Sequence, residues 1–289
     1  MKNKLHTAVG LLSAIAIITS AAAAASTVLY DFDTLTAGST PGTTGISTAN
    51  LTSGNTVLIV GSATTPADPF GGATNKSLYV HRATGAATLP IVQFDIANYE
   101  TPLTSGTLTF DFYLATVTNG RMALEIDIGR FANTSTSGRP NSVAAFQINN
   151  STATTIGSIS YFNNTTSGGS ITPSGHAITP NAKNTISVSW DTSAKTYSIM
   201  LNDTTIVSSS FTVGAIPGVS SIRFTTVAGG GDTDINYFID NITLTTIPET
   251  SSASLVTAIA AASVGLAATT FVHRRTRNTP PIPTRSSKL

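Results

Sequence analysis

The amino-acid sequence predicts an all-β sandwich or barrel whose core holds it together without covalent staples. Three observations carry this. Apolar and polar residues alternate with period two over several stretches, the signature of a strand with one face on a core. Turn-forming Gly-Gly and Asn-Asp pairs separate those stretches. The chain has no cysteine, so burial of apolar surface must replace disulfides. A body of about 220 residues is long enough for one large β domain. No convincing amphipathic helix occurs between Ser26 and Ile247.

In chain order, the first element is a secretory signal peptide over residues 1–25. Lys2 and Lys4 form its basic start, and Val9 to Ile18 its short apolar run. Ala21 to Ala25 supplies small residues for signal peptidase. Cleavage between Ala25 and Ser26 is expected. An uncleaved anchor is the competing reading, opposed by the short apolar run that leads into an A-x-A site.

The sandwich is assigned to residues 26–246. From Thr107 to Leu114, residues Leu108, Phe110, Phe112 and Leu114 share one face, with Thr109 and Asp111 opposite. From Arg121 to Gly129 the apolar face is Met122, Leu124, Ile126 and Ile128, while Glu125 and Asp127 point away. Ile186, Val188 and Trp190 form the next face, then a turn over Asp191 to Thr196, then Tyr197, Ile199 and Leu201. The last strand runs from Tyr237 to Leu244. Predicted turns fall at Gly71-Gly72, Gly168-Gly169, Asn202-Asp203 and Gly229-Gly230-Gly231.

The C-terminal region has three parts. A short polar motif, Ile247-Pro248-Glu249-Thr250, precedes an uncharged stretch from Ser254 to Val272, and the basic cluster Arg274, Arg275 and Arg277 follows. A bilayer core takes ~20 helical residues at 1.5 Å rise each, so residues 254–272 are expected to form a transmembrane helix. A mildly hydrophobic surface helix is the alternative. It is opposed by the lack of any charge or period-3.6 polar face, and by the arginines that favour a cytoplasmic end. A polar, proline-rich tail covers residues 278–289. Its last three residues, Ser287-Lys288-Leu289, match a peroxisomal address, which the secretory signal makes a coincidence.

The order of motif, helix and basic cluster over residues 247–277 resembles the PEP-CTERM signal of exported bacterial proteins. That resemblance implies processing by an exosortase after transient anchoring in the inner membrane. Thr250 stands where the family has its second proline, and the tail runs further than in most members. Ile-Pro-Glu-Thr-Ser also resembles the Leu-Pro-x-Thr-Gly sortase signal, with Ser251 in place of glycine. A second resemblance concerns the body. The pair Asn184 to Asp191 and Thr196 to Asp203, with Phe110-Asp111-Phe112 and the closing strand, looks like laminin-G and concanavalin-A-like jelly rolls. It implies a single jelly-roll sandwich and says little about activity.

Between Ser26 and Ile247 there are eight Lys or Arg and thirteen Asp or Glu, a net of −5. An acidic body argues against nucleic acid or an anionic membrane surface as partner. Glu125-Ile126-Asp127-Ile128-Gly129-Arg130 resembles the Glu-x-Asp-x-Glu strand of laminarinase-like glycoside hydrolases. Such enzymes need a nucleophile and a proton donor ~5 Å apart, and here Gly129 takes the third carboxylate's place. A missing donor removes a contribution of ~10²–10⁴-fold. A half-exposed strand with a solvated polar face is therefore the favoured reading, and no catalytic residue is assigned.

Asp240 is expected on the same face as Phe238, Ile242 and Leu244, where a carboxylate needs a partner. Structural calcium is the candidate cofactor, with Asp31 and Asp33 as further oxygen ligands and Asp232 and Asp234 as another source. Hydrogen bonds from neighbouring groups are the simpler account. His81 and His176 lack a second ligand at zinc spacing. Trp190 is expected in the core, and Tyr79, Tyr99, Tyr113 and Tyr161 are either sugar platforms or packing residues. The PEP-CTERM resemblance implies an exported structural or adhesive protein of the cell surface or extracellular matrix, with extracellular polysaccharide as its candidate partner. The competing class is a hydrolase using Glu125 and Asp127 with a third carboxylate from elsewhere.

Overall fold

A computed structural model describes residues 25–52, 54–117, 123–148, 156–163, 170–210, 216–227 and 234–246. All of them fall within one compact unit, Ala24–Ile247. The predicted signal peptide up to residue 24, the sorting motif, the 254–272 stretch, the arginine cluster, the tail and Asp232 lie outside the described residues. So do the turns expected at Gly168-Gly169 and Gly229-Gly230-Gly231. Among the described residues, no helix is long and apolar enough to cross a membrane.

The strands in chain order are β1 (Ala25–Tyr30), β2 (Ile46–Ala49), β3 (Thr56–Gly61), β4 (Lys76–Arg82) and β5 (Ile91–Asp95). They continue with β6 (Ser105–Val117), β7 (Ala123–Gly129), β8 (Ser142–Ile148), β9 (Ser158–Phe162) and β10 (Ile171–Ala177). The last five are β11 (Lys183–Asp191), β12 (Thr196–Leu201), β13 (Thr204–Ser210), β14 (Ser221–Val227) and β15 (Ile235–Thr246). They build an all-β sandwich of two antiparallel sheets. The eight-stranded sheet runs β13-β12-β11-β6-β15-β4-β3, with β1 also paired to β15. The seven-stranded sheet runs β10-β9-β8-β7-β14-β5-β2.

Alternation places the core where the sequence predicts it. Leu108, Phe110, Phe112 and Leu114 of β6 and Leu124, Ile126 and Ile128 of β7 are buried between the sheets. Phe110 meets Phe224 of the opposite sheet edge-on, with ring centroids 5.3 Å apart, a favoured aromatic geometry. Each such side chain contributes about 1.5–3 kcal/mol on burial. Trp190 is buried as expected and donates Nε1–H to the Leu103 carbonyl at 3.2 Å. The β12–β13 hairpin turns through Asn202 and Asp203, both at positive φ, as two-residue hairpin loops require. The turn before it is shorter than predicted, because Asp191 and Thr196 still pair with each other.

One face assignment changes. The register of β15 against β6 shifts between Asp240 and Thr243, with Asn241 at φ +51°. A one-residue bulge reverses the alternation that follows it. Tyr237, Ile239, Ile242 and Leu244 therefore join the core. Asp240 does not share a face with Ile242 and Leu244; it stands with Phe238 on the outer side.

Candidate functional site

The register of the seven-stranded sheet lines up polar side chains on its outer face. Gln93 of β5 stands opposite Arg223 of β14, which stands opposite Asp127 of β7. In the next row, Thr225 stands opposite Glu125, Glu125 opposite Gln147 of β8, and Gln147 opposite Ser160 of β9. Asp127 accepts hydrogen bonds from Arg223 Nη2 at 3.3 Å and Ser142 Oγ at 3.2 Å. Glu125 accepts one from Gln147 Nε2 at 2.8 Å and faces Arg139 Nε at 3.3 Å. Each carboxylate on these two rows thus has its own guanidinium.

Glu125 and Asp127 do share a face, as strand geometry demands, but the face is not solvated. Asp127 is 1 % exposed and Glu125 7 %. The reason is residues 130–141, which fold back across the sheet. Arg223 Nη1 donates to the Thr136 carbonyl and Gln93 Nε2 to the Phe131 carbonyl. The Arg223 guanidinium also lies 4.6 Å from the centre of the Phe131 ring. A methyl added at Gly138 would stand 2.2 Å from Arg223 Nη2 and 2.3 Å from Asp127 Oδ2. Only glycine lets the backbone approach the ion pair this closely. Burial pushes the Asp127 carboxyl above its usual range, the Glu125 charge adds to this, and Arg223 opposes it.

The missing third carboxylate has a steric cause. The ladder between β7 and β8 shifts register at Gly129, and a methyl there would meet the Asn141 carbonyl oxygen at 2.0 Å. No glutamate fits that position. A third carboxylate on this face is Asp95, which pairs with Ser221 in the same row as Gly129 and accepts from Gln93 Nε2 at 3.3 Å.

The other sheet carries the predicted calcium residues, each with a separate partner. Asp33 accepts from the Lys76 backbone N–H at 2.8 Å; Asp31 accepts from the Asp33 N–H at 3.2 Å. Asp240 is fully buried and accepts from Asn75 Nδ2 at 3.0 Å and the Asn241 N–H at 2.8 Å. Burial, the first cause, pushes its carboxyl up to about 7, with Asp68 and Asp111 adding repulsion against those hydrogen bonds. Lys183 Nζ lies 2.7 Å from Asp111, and Ser77 Oγ 2.6 Å from Asp68. Among the described residues, no three His, Asp or Glu side chains converge as a metal site.

Asp234 is 2.5 Å from His81 Nε2, and His176 is exposed on β10. Tyr79 stacks on His81 and packs against Phe238, which also meets Tyr113. Burial, with the Asp234 charge adding to it, raises the Tyr79 hydroxyl to about 12. Tyr161 packs against the core, and Tyr99 is exposed beneath the Arg130 guanidinium. Sequence reasoning missed Gln93, Arg139, Gln147 and Arg223. The signal was present for two of them, because Gln93 lies between Val92 and Phe94, and Arg223 between Ile222 and Phe224. A polar residue in such a position faces away from the core.

No protein-family model matches the chain, and no curated protein sequence matches it. Similar solved structures exist at low identity. The carbohydrate esterase of Shiga toxin-encoding bacteriophage phi24B aligns at TM-score 0.51 and 13% identity, over 78% of this chain and 100% of that one. The Emp47p carbohydrate recognition domain aligns at 0.48 and 8%, over 76% and 94%. The carbohydrate binding module CBM66 from Bacillus subtilis aligns at 0.41 and 14%, over 71% and 98%. A sialidase aligns at 0.44 and 12% over 63% of this chain, which spans 16% of that one. At these identities the likeness is one of fold alone, a β-sandwich.

Proposed function

We propose that this chain is an exported, structural and adhesive protein of the bacterial cell surface or extracellular matrix. Its sandwich binds carbohydrate on the outer face of the seven-stranded sheet. The observation that carries this is the two-row polar floor of Gln93, Arg223, Asp127, Thr225, Glu125 and Gln147. Planar amide, carboxylate and guanidinium groups, fixed by one another, present the convergent donors and acceptors that a sugar's hydroxyls use. The charges cancel in pairs, Asp127 with Arg223 and Glu125 with Arg139.

The address rests on the two terminal segments. Signal peptidase removes residues 1–25, the 254–272 helix holds the chain briefly in the inner membrane, and an exosortase-type enzyme releases it at Ile247-Pro248-Glu249-Thr250. Mass spectrometry of the mature protein tests this. A chain beginning at Ser26 and ending between Ile247 and Thr250 is expected, and one that retains Ser254 to Val272 rejects processing.

The binding reading is tested by a glycan-array screen of folded protein, wild type beside Thr225→Val, with and without a calcium chelator. Wild-type binding to neutral glycans, weakened by the substitution and indifferent to chelation, is expected. No binding by folded wild type rejects the carbohydrate role and leaves the structural one. A second reading, a laminarinase-like hydrolase, is favoured only by Asp95 as third carboxylate. It requires sugar release from laminarin that Glu125→Gln abolishes.

A further inference from the structure

The polar floor is already occupied by the protein itself. Residues 130–141 lay two backbone carbonyls, Phe131 and Thr136, against the amide of Gln93 and the guanidinium of Arg223. The same segment sends Arg139 onto Glu125 and seats Gly138 on the Asp127–Arg223 pair. Its acceptors thus stand where an external ligand's acceptors would. Yet the fit is incomplete. Gln93 Oε1, Arg223 Nε and Thr225 Oγ1 are buried on this face and have no hydrogen-bond partner within the described residues. Gln93 and Arg223 are 2 % and 5 % exposed, and both lie one pairing step from each other across β5 and β14. A buried polar atom without a partner is costly, whereas a fully satisfied network is not.

We infer that the 130–141 segment is a built-in competitor for this face, and that the ligand able to displace it is a neutral, polyhydroxylated sugar ring. The inference rests on the carbohydrate reading and adds both ligand class and regulation. The three unpartnered atoms are one donor, Arg223 Nε, one acceptor, Gln93 Oε1, and one hydroxyl that serves as either. A sugar hydroxyl donates and accepts, so neighbouring hydroxyls satisfy all three, which the segment's carbonyls, being acceptors only, do not. A uronate suits the face less well. Both arginines already hold a carboxylate, and Asp95, Glu125 and Asp127 repel a further negative charge.

The segment's seat also explains Gly138. Its backbone leaves no space above the ion pair, so a side chain there must displace either the segment or the Asp127–Arg223 pair beneath it. Arg139 is the other tether, holding the segment to Glu125 across a partly exposed contact.

The test uses the full-length protein in mild detergent, as wild type, Gly138→Ala and Arg139→Gln. Hydrogen exchange of residues 131–139 is followed without ligand. Binding is then measured to laminarihexaose and cellohexaose as neutral probes and to an oligogalacturonate as the anionic one. Both variants should speed exchange in the segment, Gly138→Ala at least tenfold and Arg139→Gln about two- to fivefold, with β7 amides unchanged. Both should bind a neutral probe more tightly than wild type by the same factors, and the oligogalacturonate no better. Equal neutral-probe affinity in all three proteins overturns the competitor and leaves the carbohydrate reading standing. Tighter binding of the oligogalacturonate overturns the ligand class. No binding of any probe by variants whose segment exchanges freely overturns the inference and the carbohydrate reading together. Should Gly138→Ala fail to fold, Arg139→Gln carries the test, because it removes the tether without steric cost.

Discussion

On the outer face of the seven-stranded sheet, Asp127 meets Arg223 and Glu125 meets Arg139. On the outer face of the eight-stranded sheet, Asp240 and Asp68 are held instead by Asn75, Ser77 and a backbone N–H, and Lys183 reaches only Asp111. The two faces bury carboxylates by different means. A guanidinium supplies a fixed, planar countercharge, so the pair is neutral as a unit and depends on both members. Amide and hydroxyl donors supply no countercharge, so only hydrogen bonds oppose the rise that burial gives Asp240, whereas at Asp127 the Arg223 charge opposes it as well.

The largest effect expected from this contrast is on the arginine side. Arg223→Met should cost about 3–5 kcal/mol in urea unfolding, because it strands a buried carboxylate. Replacing Asp127 by leucine as well should recover most of that loss. A single-variant cost below about 1 kcal/mol would show that the pair is solvated and the contrast false.

The next effect is one of pH. The Asp240 carboxyl is raised from 3.8 to about 7 in the folded chain. The native state therefore binds the extra proton between those values, and stability falls as pH rises through that window. The stabilisation is complete below the unfolded value and absent above the folded one. Thermal midpoints should drop between pH 5 and pH 8 in the wild type, and Asp240→Asn should lessen the drop, leaving the share that the likewise raised Asp127 carboxyl contributes. A drop of equal size in Asp240→Asn would move the titration elsewhere.

Two smaller effects sharpen the picture. Asn241, at φ +51°, makes the bulge that turns Ile242 and Leu244 inward after Asp240. Asn241→Val should cost about 1–2 kcal/mol for its left-handed backbone, and Asn241→Gly measurably less. Equal costs would show that the Asn241 contact to Asp111, 2.9 Å, matters more than the backbone. Smallest is Arg139→Ala, which should change stability by under about 1 kcal/mol, since Arg139 is a third exposed and its pair is screened.

Much of the fold is legible in short segments. Leu108 to Leu114, Leu124 to Ile128 and Ile186 to Leu201 declare their buried faces by alternation alone, and Asn202-Asp203 declares its turn. The site is legible only in fragments. Glu125 and Asp127 stand out as a same-face pair, but their partners come from remote strands. Asp127 and Arg223 are 96 residues apart, a separation at which no local pattern speaks. The bulges at Gly129 and Asn241 are equally silent, because each is defined by the neighbouring strand's register rather than by its own residues.

By itself, then, the sequence determined an all-β body without disulfides and the strands whose side chains alternate. Those features depend on period, composition and nearest neighbours, which a chain carries wherever it folds. The tertiary structure alone decided that Asp127 is sealed rather than solvated, that Asp240 faces out, and that Gly138 must be glycine. Burial, countercharge and steric room at a residue are set by whatever the fold brings against it, and here that comes from distant strands and from the 130–141 segment.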